Sequence, residues 1–214
     1  MRSTPSTSCS WSDPVTKPTQ SPLLIVHRTL DVKGWLAQAP SCEAARPGQC
    51  PRCGGASRPT GCGLGLHGHG FRDRAIFGPP RADADPERAW VRCRRYRCVA
   101  CPAVMLVVPR GVSPRRHYSL AAIAMAMTLW AVLVLPPARV RERISVSPSV
   151  AWGTEWSTLR RWAHAARALV DLPAVITLRE VAARVAQIAI GRAPPSLRTA
   201  PRVAQAFAGG AAMP

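Results

Sequence analysis

Two C-x-x-C pairs constrain this chain more than any other feature: Cys50-Pro51-Arg52-Cys53, followed by Gly54-Gly55, and Cys98-Val99-Ala100-Cys101, with 44 residues between them. Each pair turns tightly enough to aim two thiolates at one point. Four thiolates complete a tetrahedral shell with no open position, the arrangement of structural rather than catalytic zinc. Cys50, Cys53, Cys98 and Cys101 are therefore the expected ligands of one structural Zn²⁺. A redox C-x-x-C should open a helix in a βαβ unit, and neither pair does. Cys62, His67, His69 and Cys93 lie between the pairs as spare donors; Cys93 reads as a sheet residue and the two histidines as part of a glycine-rich turn. Asp83, Asp85 and Glu87 read as a solvated loop between strands.

The rest of the chain organises around these pairs. Residues 1–21 are rich in Ser, Thr and Pro and cannot bury enough apolar surface to offset the entropy of ordering, so they read as a disordered tail. Residues 22–47 form a lead-in: a short buried strand over Leu23–His27, then a helix N-capped by Asp31 that runs through Leu36 and ends before Pro40. Residues 48–114 read as loops and short strands, including a strand over Trp90–Cys98, and give the expected zinc ribbon.

After Pro114 the pattern becomes helical. Ser119 begins an uncharged run, SLAAIAMAMTLWAVLVL, that only a helix accommodates and that Pro136-Pro137 stops. The 16 residues from Leu120 to Leu135 reach about 24 Å as a helix, short of the roughly 30 Å hydrocarbon core, so a buried helix is expected rather than a membrane span. A short helix over Ala138–Ile144, a loop at 145–149 and a longer helix over Thr154–Leu169 with Thr154 as N-cap complete a helix-turn-helix-like domain over 115–171. A last helix is expected from Pro173 to about Arg192, within 172–193, with Leu178, Val181, Val185 and Ile188 on one face. Residues 194–214 read as a second disordered tail. The expected fold class is α+β: a small zinc-ribbon β module followed by an all-α three-helix domain and a C-terminal helix.

Charge suggests the partner. Lys and Arg total 29 against 11 Asp and Glu, almost all of the excess being Arg, whose planar fork suits phosphate and guanine edges. Residues 49–118 carry 13 basic and 4 acidic side chains, a net +9, and residues 119–170 carry 6 and 2, a net +4. Arginine-rich composition alone, from GC-rich coding, is the competing explanation, since net charge speaks to association and not to fold. In the helix TEWSTLRRWAHAARAL, Trp156, Leu159 and Ala163 fall at core spacing, which leaves Ser157, Arg160, Arg161 and His164 for bases and phosphates. Arg139, Arg141 and Arg143 of the preceding helix, Arg115 and Arg116 before the first, and the strand arginines Arg92, Arg94, Arg95 and Arg97 are the expected phosphate contacts.

The N-terminus has no apolar h-region or small-residue cleavage site, so eight cysteines point to metal binding in a reducing cytoplasm rather than to secreted disulfides, with nucleoid association if DNA is bound. No nucleophile elbow, phosphate loop or H-E-x-x-H is present, and no enzyme activity or small-molecule substrate is expected.

The segments CPRCGG, RCRRYRCVAC, VVPRGVSPRRHYS and WSTLRRWAHAARAL, spanning about residues 48–170, resemble the front of certain bacterial insertion-sequence transposases. They resemble more closely an uncharacterised bacterial transposase-related family with a zinc ribbon followed by a helix-turn-helix. The resemblance implies that Cys50, Cys53, Cys98 and Cys101 are the ribbon ligands and that DNA is the partner. Full transposases of this kind continue into a nuclease domain in which carboxylates hold two metal ions. Here only Glu180 is acidic after residue 171, so no strand cleavage is expected. The function expected is zinc-stabilised DNA binding; a zinc-ribbon protein-interaction adaptor or an RNA-binding module is the alternative, and a homodimer is compatible with each.

Overall fold

The computed structural model describes residues 23–113, 117–146, 156–170 and 176–213. The expected tail over 1–21, Arg115 and Arg116, the N-cap at Thr154 and the helix start at Pro173 lie outside them.

Strand β1 spans Leu24–Asp31, and helix α1, Val32–Ala37, follows directly. Asp31 caps α1 as expected: its Oδ1 accepts from Gly34 N at 2.8 Å, satisfying one of the free N–H groups of the first turn. A single helical turn, α2 (Cys42–Ala45), is capped by Ser41. Strands β2 (Leu66–Gly78), β3 (Glu87–Cys98) and β4 (Val104–Arg110) complete one four-stranded sheet of order β1-β4-β3-β2.

This architecture corrects the expected fold class. The chain is mixed α/β, a four-stranded sheet with seven α-helices among the described residues, and not a small zinc ribbon followed by an all-α domain. The reason lies in β4. Met105, Leu106, Val107 and Val108 are all buried, an unbroken apolar run that needs cover on both faces and a neighbour on both edges. A two-stranded ribbon offers neither, and β1, read as part of a lead-in, supplies the second neighbour of β4.

The described residues form two compact units. One comprises 23–26, 40–72 and 93–108; the other comprises 27–39, 73–92 and the described residues after 108. In the first, β3 and β4 pair antiparallel, with Arg94 opposite Val107 and Arg97 opposite Val104.

In the second unit, Ser119 caps α3 (Leu120–Met127) by accepting from Ala122 N at 3.1 Å, and the helix widens into a π-helical turn at Thr128–Val132. The buried Thr128 hydroxyl donates to the Ala124 carbonyl at 2.9 Å, the back-bonding that bends a helix. The chain leaves this turn through Val134 at φ 55 and enters α4 (Pro137–Ile144) with proline at its first position. Helix α5 spans Ser157–Ala166, followed by a 3₁₀ turn at Arg167–Leu169. Among the described residues no helix is long and apolar enough to cross a membrane.

One expectation fails in the last forty residues. Helix α6 (Leu178–Gly191), capped by a Thr177–Glu180 capping box, buries Val181, Ala182, Ala186 and Ala189, and the half-buried Leu178 and Val185 of the expected face pack against the core. The supposed disordered tail after residue 194 holds a further helix, α7 (Arg202–Ala211). Small residues explain how it packs. A Cβ on Gly209 would stand 1.7 Å from the Ala189 carbonyl oxygen, and one on Gly210 would stand 2.7 Å from Ala124 Cβ. The helices approach to backbone contact along an Ala/Gly seam, where dispersion substitutes for large side chains. An alanine-rich segment read for its larger side chains conceals this face.

A candidate metal centre and the arginine surface

The first cysteine pair sits in a tight loop. Gly54 N donates to the Cys50 carbonyl at 2.9 Å, Cys50 N donates to the Gly55 carbonyl at 2.8 Å, and Gly54 adopts φ +73, a conformation glycine enters without penalty. A bridge between Gln49 and Ala56 closes the base of this loop. The second pair ends β3 at Cys98 and turns into β4: Cys98 N donates to the Ala103 carbonyl at 3.0 Å. Gly65 joins the two loops, donating its N–H to the Ser57 carbonyl at 2.9 Å and accepting from Val99 N at 3.0 Å.

The four sulfurs converge. Cys50 Sγ lies 3.6 Å from Cys101 Sγ, Cys53 Sγ lies 3.7 Å from Cys98 Sγ, and all four fall within 4.8 Å of one another. Disulfide-bonded sulfurs stand about 2.05 Å apart, so these are separate thiols. Thiolates placed tetrahedrally about an ion at about 2.3 Å stand about 3.8 Å apart, close to the separations seen. This cluster could hold a metal ion, and among the described residues no other group of three or more His, Cys, Asp or Glu side chains does so.

The thiols do not ionise alike. Burial raises Cys50, but the backbone N–H groups of Cys53 and Arg52 and the neighbouring thiols of Cys101 and Cys53 outweigh it and bring Cys50 down to about 7. Burial is the largest cause holding Cys98 and Cys101 above the ordinary thiol value; at Cys101 the thiols of Cys53, Cys50 and Cys98 add to it. A divalent ion entering the cluster must displace these protons, so its capture couples to proton release.

The spare donors stay out of the cluster. Cys93 is buried in β3, as expected of a sheet residue, whereas His67 and His69 lie exposed in β2 rather than in a turn. Cys62 is exposed in the loop before β2.

The strand arginines divide between the two faces of β3, because side chains alternate along a strand. Arg94 donates from Nε to the Pro40 carbonyl at 2.8 Å and lies 4.7 Å over the Phe71 ring, which commits it to packing. Arg92 pairs with Asp73 at 3.3 Å. Arg95 is half-buried and Arg97 exposed on the opposite parity.

On the helices, Arg139 pairs with Glu142 at 2.9 Å, Arg141 is half-buried, and Arg143 reaches the Ala82 carbonyl at 3.4 Å. Helix α5 buries Leu159, Trp162 and Ala163, with Trp156 buried just before it, and exposes Ser157, Arg160, Arg161 and His164. Trp162 was not among the expected core residues. It packs edge-on against Tyr118 at 4.9 Å and Trp156 at 5.2 Å, an aromatic cluster assembled from distant parts of the sequence.

Residues 59–162 match the model of a family described as a domain of unknown function, DUF6431. The matched segment contains Cys98 and Cys101 and begins after Cys50 and Cys53. No curated protein matches the chain, and no solved structure matches it.

Proposed function

We propose that this is a zinc-stabilised DNA-binding protein, related to the DNA-recognition part of insertion-sequence transposases, and a binding module rather than an enzyme. The observation that carries the reading is the four-sulfur cluster in a chain of net charge +18. Four clustered thiols suit zinc, whose filled d shell imposes no other geometry and whose closed thiolate shell staples loops too poor in apolar residues to hold themselves. The positive charge has few acidic partners in the chain and favours a polyanion. Helix α5 supports the same reading, since its buried Leu159, Trp162 and Ala163 hold Arg160, Arg161, Ser157 and His164 outward on a fixed scaffold.

The test is metal content per chain on protein purified without added metal, followed by duplex DNA binding at two salt concentrations on the same sample. One zinc per chain, with affinity that falls steeply with salt, is expected. The Arg160→Ala/Arg161→Ala variant should bind more weakly while melting at the same temperature; unchanged affinity would discard α5 as the recognition element. Zinc without affinity for nucleic acid would replace this reading with that of an interaction adaptor.

A further inference from the structure

Beside the second cysteine pair lies an open trough of about 420 Å³, formed within one unit of the protein. Its walls include His67 and His69 from β2 and Arg97, Val99 and Pro102 from β3 and the turn after it. No carboxylate lines it. The described residues of this unit carry Arg46, Arg52, Arg58, Arg72, Arg94, Arg95 and Arg97 against one acid, Glu43, and Glu43 is already held by Arg46 at 3.0 Å and Arg58 at 2.5 Å. Arg97 has no ion-pair or hydrogen-bond partner among the described residues, and its exposed guanidinium converges with two exposed imidazoles on one concave surface.

We propose that this trough seats phosphate groups of a nucleic-acid backbone beside the metal centre, an inference that rests on the DNA-binding reading and assigns it a second contact surface. Two histidines on one strand could in principle chelate a cation, but the fixed charge of Arg97 in the same trough opposes that and favours an anion. A backbone suits the site better than a free phosphate ion. Residues two apart on a strand stand about 6.8 Å from each other, comparable to the separation of neighbouring phosphates along one nucleic-acid strand. The donors that line it, one guanidinium and two imidazoles, suit the oxygens of successive phosphates along such a backbone.

The experiment uses the full chain with its metal bound and follows the anisotropy of a labelled DNA duplex across a salt series. Arg97→Ala and His67→Ala/His69→Ala are compared with the parent, and metal content is measured for each. Arg97→Ala should weaken binding about five-fold and flatten the dependence of log K on log salt by about 0.9, the contribution of one neutralised phosphate. The double histidine variant should also weaken binding. If the parent binds DNA and both variants bind as it does with metal retained, this inference falls and the DNA-binding reading stands. If the parent binds no DNA at any salt, both fall. Should Arg97→Ala lose its metal, because it adjoins Cys98, the histidine variant decides. Displacement of the DNA by inorganic phosphate at matched ionic strength would make the trough a small-anion site and overturn the proposal.

Discussion

Replacing Gly65 by alanine should cripple the candidate metal centre without touching any of its four cysteines. Gly65 is buried and struts the two cysteine loops together through its bonds to Ser57 and Val99. An added Cβ would lie 2.2 Å from the Ala56 carbonyl oxygen and 3.6 Å from Pro59 Cδ. The near neighbour is backbone and cannot rotate aside, so an ordinary contact requires the loops to part by roughly 1 Å. Overpacking of this kind costs about 1–3 kcal/mol, and weakening two neutral hydrogen bonds costs about 1 kcal/mol each at most. A combined loss of about 2–4 kcal/mol lowers metal affinity roughly 30- to 1,000-fold, because metal capture and the folding of the site are coupled. Gly63→Ala is the control: nothing lies within 4 Å of its added Cβ and its φ is not in the left-handed region. Competition for zinc against a chromogenic chelator at fixed pH measures both variants. Equal affinities for Gly65→Ala and Gly63→Ala would refute the reasoning that the strut holds the two pairs in register.

Cys98→Ser should abolish stoichiometric metal binding and unfold the unit that contains the cluster, measured by metal analysis and circular dichroism; a folded, metal-free variant would remove the structural-metal premise. Gly209→Ala, whose Cβ meets the Ala189 carbonyl at 1.7 Å, should destabilise the helical unit by about 3 kcal/mol in urea unfolding, and an unchanged midpoint would contradict the seam between α6 and α7. Val134→Gly should stabilise by about 1 kcal/mol, because an exposed β-branched residue at φ 55 is relieved of left-handed strain without loss of packing; a lower melting temperature would count against that conformation.

Several elements are legible in the order of residues alone. Asp31 and Ser119 announce their helices because a short polar side chain before an apolar run has one ready use, the capping of free N–H groups. The segment CPRCGG announces its turn because Gly54 alone enters the left-handed region there without penalty. The outward set on α5 follows from helical period alone.

Other features are illegible for equally physical reasons. The run of arginines on β3 looks like one binding row, but the alternation of a strand splits it between two faces, and only the tertiary neighbours Pro40 and Phe71 reveal that Arg94 is engaged in packing. The helix at Arg202–Ala211 is hidden because Pro201 before it and Gly209-Gly210 within it look like loop signals until a partner helix comes near enough to make the absence of side chains an advantage.

The sequence by itself determined the four sulfurs and the excess of positive charge, since ligand chemistry and ionisation belong to residue types and short spacings. Only the tertiary structure decided that the strands around those sulfurs form one four-stranded sheet, that Gly65 braces the two cysteine loops, and that His67, His69 and Arg97 share a trough. Such relations join residues tens of positions apart, and they are set by which apolar faces find mutual cover, a property of the whole chain that no local pattern encodes.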